Sequence, residues 1–201
     1  PLTFYTNPQS RGQIVRWMLE EVGAEYQQVI LEYNTSMKSD EYLAINPMGK
    51  VPTIRHNAKV VTECAAICAY LADAFPEANL APSLTDRAEY YRWLFFASGP
   101  LESAITDRSL KIDIAPEQER MVGYGNYNNV LDVLSKRLLN SEYIAGDSFT
   151  AADVYVGSHI SWGLLFGTME IRPGFEDYAK NLMEREAFIA AKKIDTALIP
   201  S

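Results

Sequence analysis

Cysteine and histidine are the side chains most often used to bind metals or attack substrates, and this chain has few of them. Cys64 and Cys68 stand four residues apart in an alanine-rich stretch, a spacing typical of neither a disulfide framework nor a zinc site. The two histidines, His56 and His159, lie far apart in the sequence. The sequence therefore predicts reduced thiols and no metal cofactor.

Two other short segments carry groups suited to ligand binding. Glu63 and Cys64 directly precede a stretch with helical spacing, so an anion fits at the outward-pointing N–H of Cys64 and the positive end of the helix dipole. A cis Val51–Pro52 bond would leave the Val51 N–H and C=O free to pair with an extended peptide. Lys50 can reach a carboxylate. An ordinary edge-strand proline and a solvated surface lysine are the alternatives.

Strands and helices alternate in the part of the chain that must position these residues. A β-branched and aromatic run ends at Asn7, and Ser10 is suited to cap a helix that Gly23 would end. The pattern predicts strands at 2–6, 26–31, 51–55 and 59–61, and helices at 10–23, 40–45 and 63–74. The order βαβ, α, ββα favours an α+β domain in which helices pack on a small mixed sheet.

The chain changes character after residue 75. The segment 76–84 contains prolines that resist helix continuation and is interpreted as a linker. Residues 85–201 show long helical periods without a comparable strand signal, which predicts an all-helical second domain. Thr150 and Asp153 have the spacing of a helix cap. The first domain is predicted to span 1–75.

Composition narrows the class of protein. The chain has 201 residues, of which 48% are hydrophobic and 22% charged, so it can bury a large core and is not predicted to be disordered. A net charge of −8 argues against nucleic acid as a partner, because such surfaces depend on clustered Lys and Arg. No apolar run suits a membrane span, and the first residues lack a signal-peptide pattern. We expect a cytoplasmic protein.

Four sequence motifs together resemble those of the cytosolic glutathione S-transferases of bacterial type, with beta-, chi- and theta-like features. They are Asn-Pro-Met-Gly-Lys-Val-Pro-Thr-Ile at 46–54, Glu-Cys-Ala-Ala-Ile at 63–67, Tyr-Leu-Ala at 70–72 and Phe-Thr-Ala-Ala-Asp at 149–153. The resemblance implies a thioredoxin-like domain with a mixed four-stranded sheet, followed by an all-α domain. It also implies that glutathione is the co-substrate and that the protein is a homodimer.

The resemblance assigns roles in glutathione binding to several positions. Val51, beside Pro52, would pair with the cysteine of glutathione, and Glu63 would accept a hydrogen bond from the ammonium of the γ-glutamyl group. Cys64 stands where the family more often has serine. It is predicted to be a small packed residue, with a mixed disulfide with glutathione as the alternative. Lys50 is assigned to a carboxylate or to the ligand backbone.

The resemblance also places the thiol-activating group in the first strand-to-helix loop. The thiolate of glutathione is the nucleophile, so a donor or cation must lower the thiol pKa. Ser10 is the first choice, since theta-like enzymes use serine there, and Arg11 is the second, by resemblance to chi-class enzymes. Asn7 is a further ligand-binding candidate. The alternative is that Ser10 only caps the helix and Arg11 is a surface residue.

The function implied is conjugation of reduced glutathione to small hydrophobic electrophiles. The electrophile is expected between the first loop and the helical domain, where the candidate residues are Phe96, Pro100, Ser103, Trp162 and Phe166. Glutathione-dependent peroxidase, reductase or dehalogenase chemistry is an alternative that uses the same thiolate. A non-enzymatic binding protein of the same fold is the other alternative.

Overall fold

The computed structural model describes residues 1–201 and divides them into two compact units. The first unit contains residues 1–80 and 184–201, and the second contains residues 81–183. The predicted second domain, 85–201, differs from the observed unit because its last 18 residues group with the first unit. Helical spacing predicts a helix in this segment, but it does not reveal which helix packs against it.

The first unit is built on a four-stranded mixed sheet, which confirms the predicted fold class. The strands are β1 (Leu2–Thr6), β2 (Gln27–Ile30), β3 (Thr53–His56) and β4 (Lys59–Thr62), in the spatial order β2-β1-β3-β4. β1 and β2 are parallel, whereas β3 is antiparallel to both β1 and β4. The parallel pair requires a crossover, and the helix between the two strands provides it.

Four α-helices belong to this unit. They are α1 (Gly12–Val22), α2 (Asp40–Leu43), α3 (Cys64–Ala74) and α9 (Glu186–Leu198). α1 ends where predicted, at Gly23, whose φ of 66° is in the left-handed region that glycine adopts without steric cost. It begins two residues later than the predicted cap, and Ser10 lies in the turn that precedes it.

A buried ion pair joins α9 to α1 and the sheet. The Arg16 Nε donates to Asp195 Oδ1 at 3.1 Å, and the two side chains are only 1% and 4% exposed. The Arg16 Nη1 also donates to Gln28 Oε1 on β2 at 2.7 Å. Nearby, the rings of Trp17 and Phe188 meet edge to face at 5.0 Å. Since burying an unpaired arginine is costly, Asp195 is the counter-charge that lets Arg16 occupy this position.

The second unit is helical, as predicted. Its helices are α4 (Ala88–Phe96), α5 (Glu102–Ser109), α6 (Tyr127–Leu139), α7 (Ala151–Phe166) and α8 (Phe175–Met183). A π-helical turn at Ala97–Leu101 joins α4 to α5 and contains Pro100. Because proline has no N–H, it interrupts the regular ladder, and the wider turn lets the chain continue in a helical path. No helix of the chain is long and apolar enough to cross a membrane.

The side chains of Thr150 and Asp153 cap the N-terminus of α7, as their spacing predicted. Thr150 Oγ1 accepts from the Ala152 N–H at 3.2 Å, and Asp153 Oδ2 accepts from the Thr150 N–H at 2.9 Å. Asp153 Oδ1 accepts from the Ile144 N–H at 2.8 Å and from the Tyr178 hydroxyl at 2.6 Å. Burial and the neighbouring Asp153 raise the pKa of Tyr178 well above its usual value. The hydroxyl therefore remains a donor at neutral pH.

Candidate functional site

The segment that leads into β3 is held by buried polar side chains. The Val51–Pro52 peptide bond is cis. Tyr42 and Asn46 donate to the Lys50 carbonyl at 2.6 and 2.9 Å. The Thr53 hydroxyl lies 2.8 Å from the Tyr42 hydroxyl and accepts from the Asn46 amide at 3.1 Å. Burial raises the pKa of Tyr42, so its phenol stays protonated and can keep donating.

The backbone of Val51 is available for a ligand. β3 begins two residues later, at Thr53, which pairs with Tyr5 and Thr62. No hydrogen bond of the sheet, turns or loops uses the Val51 N–H or C=O. The Val51 side chain packs against a buried cluster that includes Tyr5 and Tyr42. The side chain is thus anchored while both backbone groups can pair with an added strand.

The start of α3 differs from that of α7, because no side chain caps it. Glu63 occupies the cap position with φ 70° and ψ 117°, and its side chain makes no capping hydrogen bond. Glu63 is exposed and Cys64 is half-buried. The Cys64 thiol lies 3.9 Å from the Arg11 carbonyl oxygen. The fold therefore brings the α3 start beside the loop that follows β1.

Hydrogen bonds within that first loop involve two of the predicted site residues. The buried Asn7 donates from Nδ2 to the Leu31 carbonyl at 2.8 Å and accepts at Oδ1 from the Gln9 N–H at 2.9 Å. Ser10 Oγ donates to the Asn7 carbonyl at 2.6 Å and accepts from the Gly12 N–H at 2.9 Å. Both ends of the Asn7 amide thus support the loop, and the only hydroxyl proton of Ser10 points at a carbonyl.

The two lysines near the cis-proline occupy different environments. Lys38 donates from Nζ to the Gly49 carbonyl at 2.8 Å, so it supports the loop before Lys50. Gly49 has φ 60°, and a Cβ there would lie 2.9 Å from Lys38 Nζ and 2.9 Å from a Leu43 methyl carbon. Only glycine fits that position without a shift. The Lys50 side chain is exposed, which leaves its ammonium accessible.

Sequence reasoning did not assign roles to three residues of this site. Asn46 and Thr53 belong to the motif at 46–54 but received no role of their own, and Tyr42 lies outside that motif. The Tyr42 phenol and the Asn46 amide donate to the Lys50 carbonyl, and the Thr53 hydroxyl bonds both of these side chains. Sequence spacing alone does not reveal this arrangement. No group of three or more histidine, cysteine, aspartate or glutamate residues is arranged to hold a metal ion.

Comparisons with known proteins agree with this geometry. The family model described as glutathione S-transferase, N-terminal domain, matches residues 1–73. The probable glutathione S-transferase GSTF2 of Oryza sativa subsp. japonica is 31% identical over 160 residues, covering 75% of this chain and 73% of that protein. The disulfide-bond oxidoreductase YghU of Escherichia coli K12 is 31% identical over 174 residues, which cover 78% of this chain but only 59% of that protein.

Solved structures show the same relationship. A sphingomonad glutathione S-transferase, determined in complex with glutathione, matches with a TM-score of 0.78 and 25% identity. The match covers 96% of this chain and 98% of that one. Together with the rice relative, it extends the likeness well beyond the N-terminal domain. The chain belongs to the glutathione S-transferase family.

Proposed function

We propose that this protein is a transferase that binds reduced glutathione in its first unit and conjugates it to small hydrophobic electrophiles. The observation that carries the proposal is the unused backbone of Val51, held in place by the hydrogen bonds around Lys50 and Thr53. Glutathione is an extended tripeptide, so its cysteine can pair with one exposed residue as an added strand. The family relationship makes glutathione the natural occupant.

The ends of glutathione match the charges around that position. The γ-glutamyl carboxylate would lie at the uncapped start of α3, where backbone N–H groups and the helix dipole favour an anion. Glu63 would accept from the ammonium of the same group, and Lys50 would bind the carboxylate at the other end. Cys64 takes the place of the family's serine, so the ligand would lose one hydroxyl hydrogen bond there.

Ser10 and Arg11 are the two groups we propose for thiol activation. A free thiol with pKa near 8.5 is mostly protonated at neutral pH, so its thiolate must be stabilised. Ser10 could donate to sulfur only by turning its proton away from the Asn7 carbonyl, 2.6 Å distant. Arg11 carries a full charge and is exposed, and charged donors form stronger hydrogen bonds than neutral ones.

Calorimetry with reduced glutathione, paired with a chlorodinitrobenzene conjugation assay, tests the proposal. We expect the native protein to bind glutathione, and either Ser10→Ala or Arg11→Ala to lower turnover by about a hundredfold with nearly unchanged affinity. The exposed Arg55→Ala and Ser109→Ala serve as matched surface controls. Native turnover in both loop variants would reject the assignment of the activator. Absence of glutathione binding at millimolar concentration would instead favour a non-enzymatic binding protein.

A reductase activity is the second candidate function, and the likeness to YghU favours it. The same thiolate would attack one sulfur of a disulfide, breaking the S–S bond, forming a mixed disulfide with glutathione and releasing the other half as a thiol. A second glutathione would then release the remaining thiol and leave as oxidised glutathione. Turnover of a small disulfide with glutathione, in the absence of conjugation, would select this activity. We also propose a homodimer in the cytoplasm, as the family relationship suggests. Sedimentation of a species with only the monomer mass would reject the dimer.

A further inference from the structure

The segment between β2 and α2 places an exposed tyrosine against the first loop. Tyr33 is 53% exposed, and its hydroxyl donates to the Gln9 carbonyl at 3.2 Å. The two residues are 24 positions apart, and they meet because β1 and β2 are neighbours in the sheet. A ring so exposed contributes little to the hydrophobic core. The hydrogen bond to the first loop is therefore its specific interaction.

The turn that carries Tyr33 is closed by its own backbone and anchored at both ends. The Glu32 carbonyl accepts from the Met37 N–H at 3.1 Å. Leu31 and Met37, at the two ends of the turn, are only 7% and 2% exposed. They belong to the same buried cluster that the Val51 side chain packs against. The groups that set the position of Tyr33 therefore also support Val51.

A second hydrogen bond from a side chain joins the same two segments. The buried Asn7 donates from Nδ2 to the Leu31 carbonyl at 2.8 Å, and the Leu31 N–H donates to the Thr6 carbonyl at 2.8 Å. The first loop is thus attached at Asn7, and Tyr33 attaches it again two residues later, at Gln9. Two attachment points leave the backbone between them less conformational freedom than one.

The Tyr33 hydrogen bond fixes a peptide group that contains an unused donor. The Gln9 carbonyl and the Ser10 N–H belong to one planar trans peptide, so they point in opposite directions and a bond to the carbonyl orients the N–H. No hydrogen bond within the chain uses the Ser10 N–H. A bond accepted at the carbonyl also polarises the peptide, which strengthens the donor at its other end.

We propose that Tyr33 is a positioning residue for thiol activation and acts through the Gln9–Ser10 peptide. Its hydroxyl holds this peptide so that the Ser10 N–H, and the side chains of Ser10 and Arg11 that follow it, meet the sulfur of glutathione in one fixed geometry. Donors that are already in place stabilise a developing anion without a cost of reorganisation. This inference rests on the proposed binding and activation of glutathione in the first unit.

A variant that keeps the ring and removes only the hydroxyl tests this role. In Tyr33→Phe we expect kcat for chlorodinitrobenzene conjugation to fall by about fivefold, while the Kd for glutathione stays within about twofold. The ultraviolet absorbance of the bound thiolate should fall as well, because its donors are less well held. A residue that acted only on overall stability would leave this absorbance unchanged.

Tyr91→Phe is the matched control. Tyr91 is also exposed, lies in the second unit, and its hydroxyl accepts from Arg87 Nη1 at 3.2 Å. The control therefore removes a tyrosine hydroxyl of similar exposure and hydrogen-bond length, away from the first loop. We expect its kcat and its thiolate absorbance to equal those of the native protein. Circular dichroism checks that each variant is folded, and Tyr33→Leu provides a second variant without the hydroxyl if Tyr33→Phe folds poorly.

The outcomes separate this role from the proposed function. If the native protein conjugates glutathione and folded Tyr33→Phe matches its kcat and thiolate absorbance, the positioning role is overturned and the proposed function stands. A weaker Kd with unchanged kcat also overturns the role, because Tyr33 would then act in binding. If the native protein neither binds glutathione nor conjugates it, the proposed function fails and this role fails with it.

Discussion

The N-termini of α3 and α7 differ in how their unpaired backbone N–H groups are satisfied. Every helix begins with backbone N–H groups that have no partner within the helix. At α7 these groups are satisfied internally by Thr150 and the fully buried Asp153. At α3 the cap residue, Glu63, is exposed and makes no capping bond. A capped helix N-terminus contributes to stability, whereas an uncapped one can bind an anion.

The largest effect is expected from removing the side-chain cap at the N-terminus of α7. Asp153→Ala would leave three buried donors without their acceptor, namely the N–H groups of Ile144 and Thr150 and the Tyr178 hydroxyl. We expect the free energy of unfolding to fall by about 3–5 kcal/mol. Urea titration followed by circular dichroism measures the change. Asp177→Asn on the exposed side of α8 is the control, and a loss no larger than in this control would contradict the interpretation.

A smaller effect is expected at the uncapped N-terminus of α3, where the affinity for glutathione should change and the stability should not. Glu63→Gln removes the negative charge that would pair with the ammonium of glutathione, so the Kd for glutathione should rise by about tenfold. The free energy of unfolding should change by less than about 0.5 kcal/mol, because Glu63 is exposed. Calorimetry and urea titration measure the two quantities. The exposed Glu77→Gln is the matched control, and equal affinities for both variants would remove Glu63 from the site.

The smallest effect should come from restoring the residue that is more frequent in the family. Cys64→Ser places a hydroxyl at the start of α3, where it can donate to the γ-glutamyl carboxylate. We expect glutathione to bind about three to five times more tightly. Cys68→Ser is not a suitable control because Cys68 is fully buried, so Ala66→Ser, at an exposed position of the same helix, is used. Weaker binding by Cys64→Ser would indicate that the thiol itself contributes to the site.

Local patterns were sufficient for most of the elements and for part of the site. The strands follow β-branched and aromatic runs, α1 ends at Gly23, and the Thr150–Asp153 spacing predicts a cap that the structure contains. Each of these features depends on residues within a few positions of one another. The motif around Val51 and Pro52 likewise identified the segment that we expect to bind the ligand.

The remaining features depend on residues far apart in the sequence. Arg16 and Asp195 are separated by 179 positions, so no local period could place α9 in the first unit. The same limit applies to the contact between Cys64 and Arg11, which are 53 positions apart.

The sequence by itself determined the element order, the two kinds of domain and the family. The tertiary structure decided the docking of α9 and the contact between Cys64 and the Arg11 carbonyl. The physical reason is that burial and long-range contacts depend on groups from distant parts of the chain. Such neighbours are assembled only when the chain folds.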